Sequence, residues 1–295
     1  MSDHATNELT LIPASKQVYD ALLNYILAEG LTYVEQSLES DIGVSECSPD
    51  DLNYHIVIYF DQANDVRDWC ERFQSAFHEA QLQIKMKTLQ NSIWQQAWNE
   101  SLHDVASHRF WIHQKGLSED LRYVGLEKIT IDALNAFGTG QHATTLASLK
   151  LVESLTVSDS FLDVGTGTGI LAIAAKKLGF KQIVATDIDH DAIESAKVNL
   201  VLNDCDDISL IEGSFPQRNE KFDVVVSNIL VPEVIRLLPE LMQCLTASEE
   251  VRLILSGFHE ANEDMVIDAV KAFDFDLAER SSERSWLALS FRKTT

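Results

Sequence analysis

The chain has 295 residues, 45% of them apolar and 23% charged, and a formal net charge of −23. That length suits one large domain or two smaller ones, and a negative field of that size argues against direct nucleic-acid binding while suiting either a basic protein partner or a well-solvated surface. Cys47, Cys70, Cys205 and Cys244 lie far apart with no C-x-x-C spacing, the start lacks a basic-then-apolar leader, and no apolar run approaches ~20 residues, so a cytoplasmic protein without disulfide frame, zinc site, signal peptide or membrane span is expected.

Taken in order, "ELTLI" reads as a short strand. "SKQVYDALLNYILAEG" sets Val18, Leu22, Leu23, Ile26 and Leu27 on one helical face and stops at Gly30. "LTYVEQSLE" and "YHIVIYF" read as strands. "VRDWCERFQSAFHEA" returns to helical spacing through Val66, Trp69, Cys70, Phe73 and Phe77, and "LQIKMKTLQ" alternates as a strand. The order β-α-β-β-α-β over residues 1–89 is that of a small ferredoxin-like α+β domain. These residues carry 5 Lys/Arg against 15 Asp/Glu, a net −10, as a module recruiting a basic protein would, or a merely solvated surface. Residues 90–132 read as a linker helix and connector. In "NSIWQQAWNESLHD", Trp94 and Trp98 share a face, suited to core packing or to a substrate wall.

From residue 133 the pattern is α/β. Strands are expected at "SFLDVG", "KQIVATDID", "DISLIEG", "FDVVVSNIL" and "EVRLILSGF", separated by helical stretches as parallel units require. "FDLAER" and "SWLALSFR" leave room only for the turn "ERSSERS", so they pair as an antiparallel hairpin at the sheet edge. Together these describe a Rossmann-like, seven-stranded sheet with an antiparallel terminal hairpin, the arrangement associated with class I S-adenosylmethionine-dependent methyltransferases.

Two glycine clusters stand out, "NAFGTGQHATT" and "DVGTGTGILAIAAKKLG". The second is a strand, a tight turn and a helix, with Gly165, Gly167 and Gly169 spaced G-x-G-x-G. A dinucleotide's pyrophosphate calls for G-x-G-x-x-G at a helix N-terminus. S-adenosyl-L-methionine carries no phosphate and needs only a close backbone approach, which glycine allows for want of a Cβ. Asp187 lies 22 residues beyond Gly165, where a carboxylate can accept both ribose hydroxyls. A nicotinamide enzyme would want that acid too, so the loop spacing and the hairpin carry the cofactor reading. Asn228 closes a buried strand at the ligand-binding edge of the sheet. It suits a simple strand cap, or the acceptor end of an amine site.

"AFGTGQHATT", "DVGTGTGILAIAAKKLG", "TDID" and "SNIL", in this order and spacing, resemble the bacterial methyltransferases that modify large-subunit ribosomal protein eleven. The resemblance covers essentially the whole chain. It implies a protein trimethylase acting on lysine side chains and an N-terminal amine, with the small domain recruiting the basic substrate; separately from the resemblance, a monomer without metal is expected. By the same resemblance the first loop folds over the cofactor, and cofactor contacts fall on Thr145, Gly165, Asp187 and Asn228. Phe137, Gly138 and Thr139 belong to the same pocket wall, with Gly167 and Asp163 in the second loop. His142 matches the family's histidine and reads as a structural residue.

The chain departs from the family where Gln141 and Ala143 stand for Thr and Pro, and where Asp132-Ala133-Leu134 stands for Asp-Pro-Gly. "TASEEVRLILSG" also lacks the usual glycine pair. Losing Pro and Gly is expected to leave the first loop's backbone freer. Two other functions stay open on that account: methylation of a different protein or small amine, and a non-catalytic cofactor-binding module.

A sulfonium methyl is already activated, so the task left to the protein is to present a neutral amine in line with it, at about 3–3.5 Å. The Asn228 side-chain oxygen is the candidate catalytic group, accepting an amine N–H and aiming the lone pair. A neutral amide suits this better than a carboxylate, which would stabilise the ammonium form.

Overall fold

A computed structural model describes residues 5–28, 34–37, 54–60, 63–78, 82–90, 102–133, 136–216 and 220–294. The chain divides into two compact units, 1–101 and 102–295.

The first unit runs β1 (Ala5–Pro13), α1 (Lys16–Ala28), β2 (Val34–Ser37), β3 (Tyr54–Phe60), α2 (Ala63–Ala76), β4 (Leu82–Gln90). Its sheet order is β2-β3-β1-β4 with every pair antiparallel, the ferredoxin-like arrangement. The core follows from two periodicities. Leu9 and Leu11 on β1, and Ile56 and Ile58 on β3, alternate onto one face. Val66, Cys70 and Phe73 on α2 recur at i, i+4 and i+7 and bury against them, with Trp69 and Phe77 at the margins. Leu22 and Ile26 of α1 close the same core. The expected stop at Gly30 and the Trp94/Trp98 helix lie outside the described residues.

In the second unit the main sheet comprises β8 (Ser160–Val164), β9 (Gln182–Asp187), β10 (Ser209–Glu212), β11 (Val224–Asn228), β12 (Arg252–His259), β13 (Phe275–Glu283) and β14 (Trp286–Lys293). The order is β10-β9-β8-β11-β12-β14-β13, with β14 antiparallel to both neighbours. The helices are α3 (Ala143–Ser154), α4 (Ile170–Leu178), α5 (His190–Leu202), α6 (Val231–Gln243) and α7 (Glu263–Lys271). Successive strand residues feed opposite faces. Phe161, Val224, Val226, Ile254 and Ala288 join α3 and α4, whereas Leu162, Val225, Leu253, Leu255 and Leu289 join α6 and α7. Both faces are therefore covered, which is why these strands read as unbroken apolar runs. Strand order reverses between β8 and β11, and the crevice at the carboxyl ends there is where open α/β sheets bind ligands.

Two features differ from the sequence reading. The terminal turn is only Arg284-Ser285, both at positive φ (47° and 67°), as a two-residue hairpin of this twist requires. Without Gly or Asn to mark it, the turn looked longer. The supposed connector also carries strands: β5 (Val105–Ala106), β6 (Phe110–Gln114) and β7 (Glu127–Ile131) form a sheet with β6 and β7 parallel. Every residue of β6 is buried, so no alternation announced it. Its Phe110 and Ile112, with Ile129 and Ile131 of β7, belong to the α3–α4 core.

This gives a truncation test. Burying those four side chains contributes on the order of 6–12 kcal/mol, comparable with a domain's whole stability of about 5–15 kcal/mol. A fragment of residues 102–295 is expected to melt cooperatively, and one starting at 133 is expected not to fold. Circular dichroism melts of both check this; equal melting temperatures would remove the small sheet from the core.

Candidate active site

The two glycine clusters form one structure. The Thr168 N–H donates to the Phe137 carbonyl at 2.9 Å, and the Thr168 hydroxyl donates to the Gly138 carbonyl at 2.6 Å. Gly167, at φ 54°, passes so close that a Cβ there would lie 2.2 Å from the Phe137 oxygen. The first loop is thus laid backbone to backbone on the turn between β8 and α4. From α5, the Asn199 amide donates to the Thr168 carbonyl at 3.1 Å and fixes the turn from behind.

Asp187 ends β9 beside this turn. Its Oδ2 accepts the Gly167 N–H and its Oδ1 the Asp189 N–H, each at 3.0 Å, so the carboxylate is oriented by backbone and only half-buried. The next side chain, Ile188, is 74% exposed, an apolar surface beside a polar anchor that the sequence reading did not single out. Asp163 lies beneath the turn, 1% exposed, and its Oδ2 accepts the Thr166 hydroxyl at 2.7 Å. Burial pushes its pKa up to about 7, with the Asp187 charge adding to the rise and hydrogen bonds from Thr166 and the Ala172 backbone opposing it.

Asn228 closes β11, and its Oδ1 is buried with no partner among the described residues. Thr145, in the first turn of α3, is fully buried and its hydroxyl is likewise without a partner. The residue after Asn228 fixes the crevice floor: a Cβ on Gly257, at φ 101°, would lie 2.0 Å from the Ile229 carbonyl oxygen. Gly257 was not among the expected site residues, although a lone glycine inside an apolar strand is a sign of close backbone approach.

His142 caps α3, its Nδ1 accepting the Thr144 N–H at 3.3 Å and lying 2.8 Å from the Thr144 hydroxyl. Its ring meets Phe137 and Trp286 edge-on at centroid distances of 5.2 and 4.9 Å. Burial lowers its pKa to about 4, so it is a neutral, structural side chain at physiological pH. Phe137 itself is 54% exposed. The first loop is not left free: the Gln141 amide donates to the His103 carbonyl at 2.9 Å, and the Gln114 amide donates to the Thr139 carbonyl at 2.7 Å. Side-chain hydrogen bonds replace the restraint expected from proline, which sequence spacing could not reveal because both partners come from the small sheet's segment.

Tested against S-adenosylmethionine, the residues fit. The glycine turn offers backbone without side chains, Asp187 offers an oriented carboxylate for a diol, and Asn228 and Thr145 hold buried polar atoms that await partners.

Comparison with known proteins agrees. Residues 8–294 match the model of the ribosomal protein L11 methyltransferase (PrmA) family. The chain is 33% identical over 292 residues to the ribosomal protein L11 methyltransferase of Macrococcus caseolyticus, covering 92% of this chain and 93% of the relative. It is 30% identical over 247 residues to that of Staphylococcus saprophyticus, covering 80% and 78%. A crystal structure of ribosomal protein L11 methylase from Lactobacillus delbrueckii subsp. bulgaricus superposes with a TM-score of 0.60 at 31% identity, over 66% of this chain and all of that one.

Asp163 makes stability pH-dependent. Its carboxyl titrates near 3.8 when unperturbed and near 7 in the folded protein, so the folded state holds its proton more tightly. The stabilisation is fully present below about pH 4 and is lost as pH rises through 7. Asp163→Asn keeps an acceptor for Thr166 and does not titrate, so its melting temperature is expected to fall less between pH 5 and 8 than the wild type's. Parallel curves from calorimetric scans would contradict this.

Proposed function

The chain belongs to the ribosomal protein L11 methyltransferase family and is an S-adenosylmethionine-dependent protein methyltransferase of L11; from that premise we propose that its acceptors are amino groups, on lysine side chains and the N-terminal amine. The observation that carries this reading is the partnerless Asn228 Oδ1, a buried neutral acceptor at the ligand edge of the sheet. An acceptor left unmade in a buried site is costly unless a ligand completes it.

When bound, the cofactor supplies an electrophilic methyl on a cationic sulfur. In our reading the turn at Gly165 and Gly167, with Asp187 on the ribose and the exposed Ile188 against the base, holds it in place, and the Thr145 hydroxyl completes the contact from α3. Phe137, Gly138 and Thr139 form a wall of the cofactor pocket that also flanks the acceptor. A free lysine, with a pKa of about 10.4, arrives protonated. Enclosure between Phe137 and the Asn228 end of β11 disfavours the charged form, and release of that proton to solvent leaves the lone pair free. The Asn228 oxygen then accepts one amine N–H and aims the lone pair. The anchored first loop favours this catalytic reading over a non-catalytic binding module.

Residues 1–101 carry 5 Lys/Arg and 16 Asp/Glu, against 18 and 30 for residues 102–295, so their net negative charge per residue is nearly twice as large. That density supports the first unit as the part that recruits basic L11 in the cytoplasm. Electrostatic recruitment weakens with salt, as screening beyond about 8–10 Å sets in at moderate ionic strength.

Incubation with labelled S-adenosylmethionine and recombinant L11, followed by peptide mass spectrometry, tests the acceptor: methyl groups on lysine or the N-terminal amine are expected, and label confined to other residues would overturn it. Asp187→Ala is expected to weaken cofactor binding by roughly 1.5–3 kcal/mol, the range for hydrogen bonds to a charged group. Calorimetry finding unchanged affinity would remove Asp187 from the site. Asn228→Asp places a carboxylate beside the amine and raises its pKa, so the pH–rate profile should move to higher pH. Deleting residues 1–101 should abolish methylation of intact L11 while leaving cofactor affinity nearly unchanged; full-rate methylation by the truncated enzyme would reduce the first unit's charge to a solvated surface.

A further inference from the structure

We propose that Gln114 is a positioning residue for cofactor binding: its carboxamide, carried on a strand end pinned by the buried carboxylate of Asp104, fixes the Thr139 carbonyl and so holds the first glycine loop closed on the second. The proposal rests on the reading of that loop as a wall of the cofactor pocket. Gln114 is the last residue of β6 and is fully buried. Its Nε2 reaches the Thr139 carbonyl at 2.7 Å, 25 residues along the chain.

The strut starts from a rigid base. Asp104, 8% exposed, accepts the Gln114 backbone N–H on Oδ1 at 2.8 Å and the Trp111 Nε1–H on Oδ2 at 2.7 Å. The His113 Nδ1 lies 2.8 Å from the same Oδ2, and against an ionised carboxylate it is the donor. One side chain therefore binds three residues of β6, and the strand end cannot follow the loop if the loop drifts. The loop has two further sets of attachments, the Thr168 N–H and hydroxyl on the Phe137 and Gly138 carbonyls and the Gln141 amide on the His103 carbonyl. The second lies one residue before Asp104, so both glutamines tie the loop to the same anchored segment.

Stability alone does not explain a glutamine here. Its Oε1 is buried with no partner among the described residues, a cost that an apolar side chain of equal length would avoid. What the amide provides is direction: a donor aimed at one carbonyl of a loop whose other face meets the turn carrying Gly165 and Gly167. Gly140 leaves room for this approach, since a Cβ there would lie 2.8 Å from the Ile112 side chain of β6.

Gln114→Met removes the donor and the orphaned acceptor while keeping the length. In the full-length variant the dissociation constant for S-adenosylhomocysteine, measured by calorimetry, should rise roughly three- to tenfold, the factor carried by one hydrogen bond. The melting temperature should change little, since the variant trades the orphaned Oε1 for an unpaired Thr139 carbonyl. Amide exchange should quicken at Thr139–Gln141 and not in β8 or α4, and the transfer rate to L11 at saturating cofactor should return to that of the wild type, placing the effect in KM. Gln141→Ala, at a half-buried position, should act in the same direction with smaller size. A folded Gln114→Met with wild-type affinity and wild-type loop protection overturns the proposal. Should that variant not fold, Gln141→Ala decides in its place, unchanged binding and protection being the adverse result. A wild-type protein that fails to bind S-adenosylhomocysteine would sink the reading of the pocket instead, and the exchange measurement would still test the strut.

Discussion

The carboxyl edge of the second unit depends on one close contact, the Phe137 carbonyl accepting the Thr168 N–H while the Gly167 Cα passes beneath it. No residue with a Cβ can take that place without moving a backbone oxygen. The two glycine clusters are separated by all of α3 and β8, yet they behave as one element. The first loop cannot be laid over the turn after β8 unless both backbones are bare where they meet.

Buried polar groups then carry this edge outward. Two amides, Asn199 on α5 and Asn203 at its C-cap, do for β7 what a neighbouring strand would do. Asn203 accepts the Thr130 N–H at 2.8 Å and donates to the Thr130 carbonyl at 2.7 Å, while Asn199 accepts the Asp132 N–H at 2.7 Å. An open sheet edge is thereby satisfied by side chains, with no further strand needed. Because Asn199 also reaches the Thr168 carbonyl, the same helix joins the small sheet to the glycine turn. Burial alone would hold these layers together without fixing their register; the amides fix it.

The terminal hairpin braces the start of α3. Ser256 on β12 donates to the Leu287 carbonyl of β14 at 2.8 Å and lies 3.3 Å from the Thr144 carbonyl of α3. Trp286, the first residue of β14, meets the capping His142 edge-on. The start of α3, where Thr145 offers its unpaired hydroxyl, is therefore braced by the hairpin on one side and by the first loop on the other. A neutral His142 suits this position, since an imidazolium there would be desolvated between two aromatic rings.

Much of this was legible in the sequence. Strand and helix periods, the G-x-G-x-G spacing, the acid 22 residues on and the polar residue ending β11 are local signals, each imposed by the backbone geometry of a few neighbours. They led to the ferredoxin-like unit, to the order of the seven strands along the chain, and to Asp187, Asn228 and the turn glycines. The strands of the small sheet escaped because β6 is buried on both faces and shows no alternation. The hairpin turn escaped because Arg284 and Ser285 adopt positive φ without glycine. Only the tertiary structure decided that the first loop is held and not loose. Gln114 and Gln141 are ordinary polar residues in a sequence, and a hydrogen bond to a carbonyl 25 or 38 positions away leaves no local pattern, since its strength depends on a distance that the fold alone sets.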